Sequence, residues 1–202
     1  YEISACLVGS EMCIRDRACT QQTTTTNYYF DSENGNDANK GTTREQAFKS
    51  LSKLDDLSIN AGDSILLKSG SVFTEKLYFS GKGEMNKPIV IGKYGGEAMP
   101  HIKGDATELA MVHIYNSEHL VIRDLEISNK GEKIRPRLSG LFVEVYNYGK
   151  AEDITIDNLF IHDVYGSLIK GEGHEHEDAG LSLIHISQPT RQAEISYAVF
   201  CL

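Results

Sequence analysis

The chain has 202 residues, 20 of them basic and 29 acidic, giving a formal charge of −9; it holds 18 glycines, four prolines, four cysteines and no tryptophan. That balance argues against a general nucleic-acid binder, which needs a basic face. No apolar run approaches the roughly 18–20 residues of a membrane span, and the length allows one or two domains with a buried core.

Residues 1–17 (YEISACLVGSEMCIRDR) and 181–202 (LSLIHISQPTRQAEISYAVFCL) resemble a translated sequencing adapter read from its two strands. The bases that would encode the end of Gln192, Ala193 and Glu194, reverse-complemented, fit the codons from Ile3 to Cys6, so one barcode accounts for both ends. Gln188 differs from the usual Glu there by a single base change. Both flanks are therefore set outside the fold. Cys6, Cys13 and Cys201 go with them, leaving Cys19, so there is no disulfide framework and no zinc-type cysteine spacing. The gene is then expected to be cut at both ends, with its C-terminal part missing.

In chain order, Ala18-Cys19 and the polar, Thr-rich residues 20–26 resemble the cleavage site and tether of a bacterial lipoprotein, with Cys19 as the lipidated residue and residues 18–27 as the tether. That implies a secreted, cell-surface or periplasmic protein that meets a membrane only through its lipid. Tyr28-Tyr29-Phe30 reads as a short strand, followed by turn formers from Asp31 to Gly41. Thr42 or Thr43 can cap a helix over about 44–57, with Ala47, Phe48, Leu51, Leu54 and Leu57 on one face.

Strands are predicted at Ser64–Leu67, Leu77–Phe79, Pro88–Gly92, Leu109–Tyr115, His119–Ser128, Leu141–Tyr146 and Asp153–His162. Two of these are near-copies, HLVIRDLEISN from His119 and DITIDNLFIHD from Asp153, offset by 34 residues. In each, apolar residues alternate, a small polar residue (Asp124 or Asn158) interrupts, and alternation resumes. Short strands with this grammar cannot each bury a face alone. Stacking successive coils pairs every strand with its equivalent and builds one interior. Ile122, Leu125 and Ile127 should lie over Ile156, Leu159 and Ile161, with Asp124 over Asn158 and Asn129 over Asp163 as polar stacks. The expected fold is all-β: a right-handed parallel β-helix, or solenoid, over residues 28–180, with an N-terminal capping α-helix and truncated at its C-terminal end. A sandwich would need tight hairpins, and no Asn-Gly or Asp-Gly joins matched strands after the helix.

YYFDSENGNDANKGT, NAGDSILLKSG, KPIVIGKYG and the coils LVIRDLEISN and ITIDNLFIHDVYG resemble the N-terminal part of right-handed parallel β-helix proteins of the pectate-lyase-like superfamily. The resemblance implies a polysaccharide lyase or a glycoside hydrolase, acting as a monomer on a polysaccharide, with the helix capping the open end of the solenoid. A lyase acting on uronates by β-elimination is the first expectation. A hydrolase with two carboxylates is the second, and a non-catalytic carbohydrate-binding or surface-adhesive solenoid the third.

The richest polar cluster is His162-Asp163 followed by Lys170-Gly171-Glu172-Gly173-His174-Glu175-His176-Glu177-Asp178. A lyase needs a cation or cationic side chains against the uronate and a base for the adjacent proton. The candidates are His162, Lys170, Arg135 or Arg137, with calcium held by Glu172, Glu175, Glu177 or Asp178. A hydrolase would start from Asp163 and Glu172. His174-Glu175-His176 lacks the spacing of a helical two-histidine zinc motif, and His113, His119, Tyr115 and Tyr146 read as outward strand positions.

Overall fold

Three columns of aliphatic and aromatic side chains fill the interior, and the alternation of the strands puts them there. A computed structural model describes residues 25–167 and 181–186. Its strands are β1 (Asn27–Phe30), β2 (Ser64–Lys68), β3 (Val72–Phe73), β4 (Leu77–Phe79), β5 (Ile89–Tyr94), β6 (His101–Gly104), β7 (Ala110–Tyr115), β8 (Leu120–Asn129), β9 (Arg135–Pro136), β10 (Ser139–Tyr146), β11 (Ile154–Val164), β12 (Gly166–Ser167) and β13 (Leu181–Ile186). Every pairing between these strands is parallel. The result is an all-β, solenoid-like fold.

One curled sheet runs β1-β2-β5-β8, with β11 beyond β8 and with β6 and β3 attached to the second half of β8. β8 serves both arms because it bends: Leu120–Ile122 pair with β5, whereas Glu126–Asn129 pair with β6. The third wall is β4-β7-β10-β13. β13, inside the segment read above as adapter, lies along the open edge of β10, as an alternating apolar hexapeptide can at an unpaired parallel edge.

Along the first wall Ile65, Ile91, Ile122 and Ile156 pair in succession. Along the second the succession is Phe73, Ile102, Ile127 and Ile161, and along the third Phe79, Ile114 and Val143. All but the partly buried Ile161 are buried, and burial stabilises by about 1.5–3 kcal/mol per such side chain. The 34-residue repeat is realised in register: Ile154 pairs with Leu120, Leu159 with Leu125 and Ile161 with Ile127. Its interruptions are the bends. Asp124 and Asn158 have φ of 57° and 47°, a left-handed conformation that Asn and Asp accept more readily than other side chains. Asn158 Nδ2 donates to Asp124 Oδ1 at 2.6 Å, tying one bend to the next.

Two expectations are corrected. No α-helix covers 44–57; Arg44–Gln46 and Leu51–Asp56 are short 3-10 helices separated by extended residues. The backbone groups an α-helix would use are committed elsewhere. Phe48 donates to the Tyr29 carbonyl and accepts from the Asp31 N–H, while the Asp37 carboxylate accepts from the Lys49 and Ser50 amides at 2.8 and 2.9 Å. The predicted apolar face nevertheless packs inward, with Ala47, Phe48, Leu51 and Leu54 buried. The second correction is at Asn129, which pairs with Val164 rather than Asp163 because the strand bulges between His162 and Val164. Asn129 is fully buried and staples the corner, accepting from the Ala106 amide and donating to the Glu108 and Ser139 carbonyls. The short strands β3, β6, β9 and β12 were not predicted.

Candidate functional site

Outward positions of β6, β8 and β11 converge where the second wall faces solvent. Alternation buries Leu125 and Ile127, so Glu126 points out between them. Register sets His101 beside Glu126 and Glu126 beside Phe160, with Lys103, Ser128 and His162 in the next column.

His162 and His101 both turn toward Glu126. His162 Nε2 lies 3.0 Å and His101 Nδ1 3.5 Å from the same carboxylate oxygen. Their other nitrogens are held from outside: His101 Nε2 is 2.8 Å from Ser128 Oγ, and His162 Nδ1 is 3.1 Å from Asp163 Oδ2. Phe160 stacks on His162 with ring centroids 4.6 Å apart and is itself half exposed. Burial, above all, pushes the His101 imidazole below its ordinary pKa, against the opposing pull of Glu126. Asp163 is held below the usual carboxylate range by hydrogen bonds from His162 and from Lys130, whose ammonium is 3.4 Å away. The group thus offers one exposed aromatic ring, two imidazoles and two carboxylates on a single face.

A second outward cluster lies on the third wall. Tyr78, His113 and Phe142 occupy one column, and Tyr115 and Glu144 the next. The His113 ring is 5.3 Å from Tyr78 and 5.0 Å from Phe142, and His113 Nε2 is 3.0 Å from Glu144 Oε2. Tyr146 beyond them is exposed, as its alternation predicts.

Of the predicted site residues, His162 and Asp163 are brought together at the first cluster. Lys170, Glu172, Glu175, Glu177 and Asp178, and the lipidation candidate Cys19, lie outside the described residues. Arg135 is engaged elsewhere, donating to the Ala106 and Thr107 carbonyls at 2.7 and 3.2 Å. His119 is a bend residue, φ 49°, paired with Asp153 at 2.9 Å rather than displayed on a face. Sequence reading missed His101 and Glu126. The available signal was His-Ile-Lys-Gly at 101–104, which has its isoleucine where Glu126-Ile127-Ser128-Asn129 has one, although too short to stand out as a strand.

No family model matches the chain. It is similar to a lacto-N-biosidase of Bifidobacterium longum subsp. longum, 28% identical over a 207-residue alignment that covers 76% of this chain and 13% of that protein. The native crystal structure of GH136 lacto-N-biosidase from Eubacterium ramulus is 31% identical with a TM-score of 0.66, covering 78% of this chain and 30% of that one. Its selenomethionine derivative is 33% identical with a TM-score of 0.63, covering 70% and 27%. An alginate lyase from Paenibacillus sp. str. FPU-7, at 16% identity and a TM-score of 0.43, is too remote to carry an argument. The chain therefore spans less than a third of the length of these lacto-N-biosidases.

Proposed function

We propose that this chain is part of a glycoside hydrolase acting on glycans that carry lacto-N-biose, and that its coils are those of a right-handed parallel β-helix whose outward faces meet the sugar. The observation that carries this reading is the likeness to the Eubacterium ramulus lacto-N-biosidase, at 31% identity and a TM-score of 0.66 over most of the chain. The face around His162 supports it. An exposed aromatic ring can pack on the apolar face of a sugar, while neighbouring imidazole and carboxylate groups hydrogen-bond its hydroxyls.

Glycoside hydrolysis asks for one carboxyl group kept protonated and one kept ionised. Asp163, held ionised by His162 and Lys130, suits the base or nucleophile and not the acid. Glu172 is its proposed partner. The β-elimination expected first from sequence would need the cationic set of Lys170 and His162, with calcium on Glu175, Glu177 and Asp178; the lacto-N-biosidase likeness favours hydrolysis over it. Lipidation at Cys19 would hold such an enzyme at the cell surface.

The test is to express the complete reading frame from the source DNA and offer it a chromogenic lacto-N-bioside and, separately, a uronate polymer. Chromophore release is expected. An ultraviolet-absorbing unsaturated product from the polymer, lost on chelation and without chromophore release, would replace the hydrolase by a calcium-dependent lyase. Sugar binding with no turnover of either would replace it by a binding module.

A further inference from the structure

We propose that His101, Glu126 and His162 form a binding site for one divalent transition-metal ion, with zinc the best match. The three residues come from three different strands, β6, β8 and β11, yet each offers a ligand atom within 4.8 Å of the other two. In a tetrahedral site with metal–ligand bonds of about 2.0–2.1 Å, neighbouring ligand atoms stand about 3.4 Å apart. The nitrogen-to-oxygen separations here are 3.0 and 3.5 Å. The remaining pair, nitrogen to nitrogen, lies within 4.8 Å, so closing on an ion asks the two imidazoles to draw toward the carboxylate they already share.

The outer hydrogen bonds point the same way. Metal-bound histidines commonly give their second nitrogen to a carboxylate or another acceptor, which fixes the ring and leaves a lone pair for the metal. Asp163 takes that role for His162 and Ser128 for His101. His162 Nε2 already faces the Glu126 carboxylate at 3.0 Å, the position that a shared cation would bridge. The donor set selects the cation: two imidazoles and one carboxylate suit zinc and its neighbours, whereas calcium takes six to eight oxygens. All three side chains are 19–29% exposed, so an ion can reach them and keep a fourth position open to solvent.

The third wall supplies an internal comparison. His113 meets Glu144 at the same 3.0 Å but sits between the Tyr78 and Phe142 rings, outside any three-residue ligand group among the described residues. His162 and Asp163 are shared with the proposed sugar-binding face, and metal uptake is read without turnover, so its failure is distinguishable from a failure of the hydrolase reading.

The full 202-residue chain, stripped of metal, is titrated with Co2+ and then Zn2+, following visible absorbance and bound metal per chain. The double variant His101→Ala/His162→Ala is expected to bind one equivalent fewer and to lose the visible bands of nitrogen- and oxygen-ligated tetrahedral cobalt. His113→Ala should leave both unchanged. Asp163→Asn should weaken Co2+ binding by about tenfold or more, the usual cost of losing an outer partner. The isosteric Glu126→Gln keeps the fold testable: Zn2+ should raise the melting temperature of the unaltered chain and leave that variant's unmoved. Equal metal content and spectra in the unaltered chain and the double variant would overturn the site, as would an equal loss in His113→Ala.

Discussion

Asp31 closes the turn after β1 and is buried against it. Its carboxylate accepts the Glu33 and Asn34 amides, each at 3.0 Å, and the Lys68 ammonium at 2.7 Å. Burial pushes its pKa up, but these donors, led by Lys68, outweigh it and leave the group below the ordinary value. Asp31→Ala removes a charge-assisted pair and strands two amides, so a loss of about 1.5–3 kcal/mol is expected by chemical denaturation. Because the folded-state pKa is the lower one, this contribution is fully present above the unfolded value of about 3.9 and disappears as pH falls through the folded one. The stability difference between the unaltered chain and Asp31→Ala should therefore be level near neutral pH and shrink in acid. A difference independent of pH would mean that Asp31 acts through packing. The turn itself was legible in DSENGND, but the ion pair was not, because Lys68 lies 37 residues further on and only the fold brings it there. The same holds for Glu126, whose partners His101 and His162 are 25 and 36 residues distant.

β8 and β11 were the most readable elements because their alternation, their interruption and their 34-residue offset all describe one geometry. Asn158 tests that geometry directly. Asn158→Val forces a β-branched residue into the left-handed bend and should cost about 1–2 kcal/mol, more than Asn158→Gly, which accepts the conformation and loses only the side-chain bond to Asp124. Equal losses in the two variants would show that the hydrogen bond, not the backbone, fixes the bend. Ile122→Ala, inside the first column, should cost about 2–5 kcal/mol. Segment 44–57 was half legible. Its apolar spacing identified the buried residues, yet the same spacing fits a chain alternating between 3-10 turns and extended stretches once Asp37 and β1 claim its backbone. β6 was illegible because four residues are too few to show a period, although its histidine completes the candidate site.

At the scale of the molecule, every functional reading depends on coil register. The pairing of β6 with β8 and of β8 with β11 brings together His101, Glu126 and His162, and it lays Tyr78, His113 and Phe142 in one row. A slip by one residue would turn each of these inward and expose the aliphatic columns. The outward residues Arg123 and Asp157 are direct partners across β8 and β11, so their Cα atoms should lie about 4.8 Å apart, within reach of a disulfide. With the chain's four existing cysteines replaced by serine, Arg123→Cys/Asp157→Cys is oxidised beside Arg123→Cys/Thr155→Cys, which sits two residues out of register on the same face. The stacked-coil account predicts rapid, near-complete cross-linking of the first pair and little of the second. Equal cross-linking of both pairs, or of neither, would contradict it.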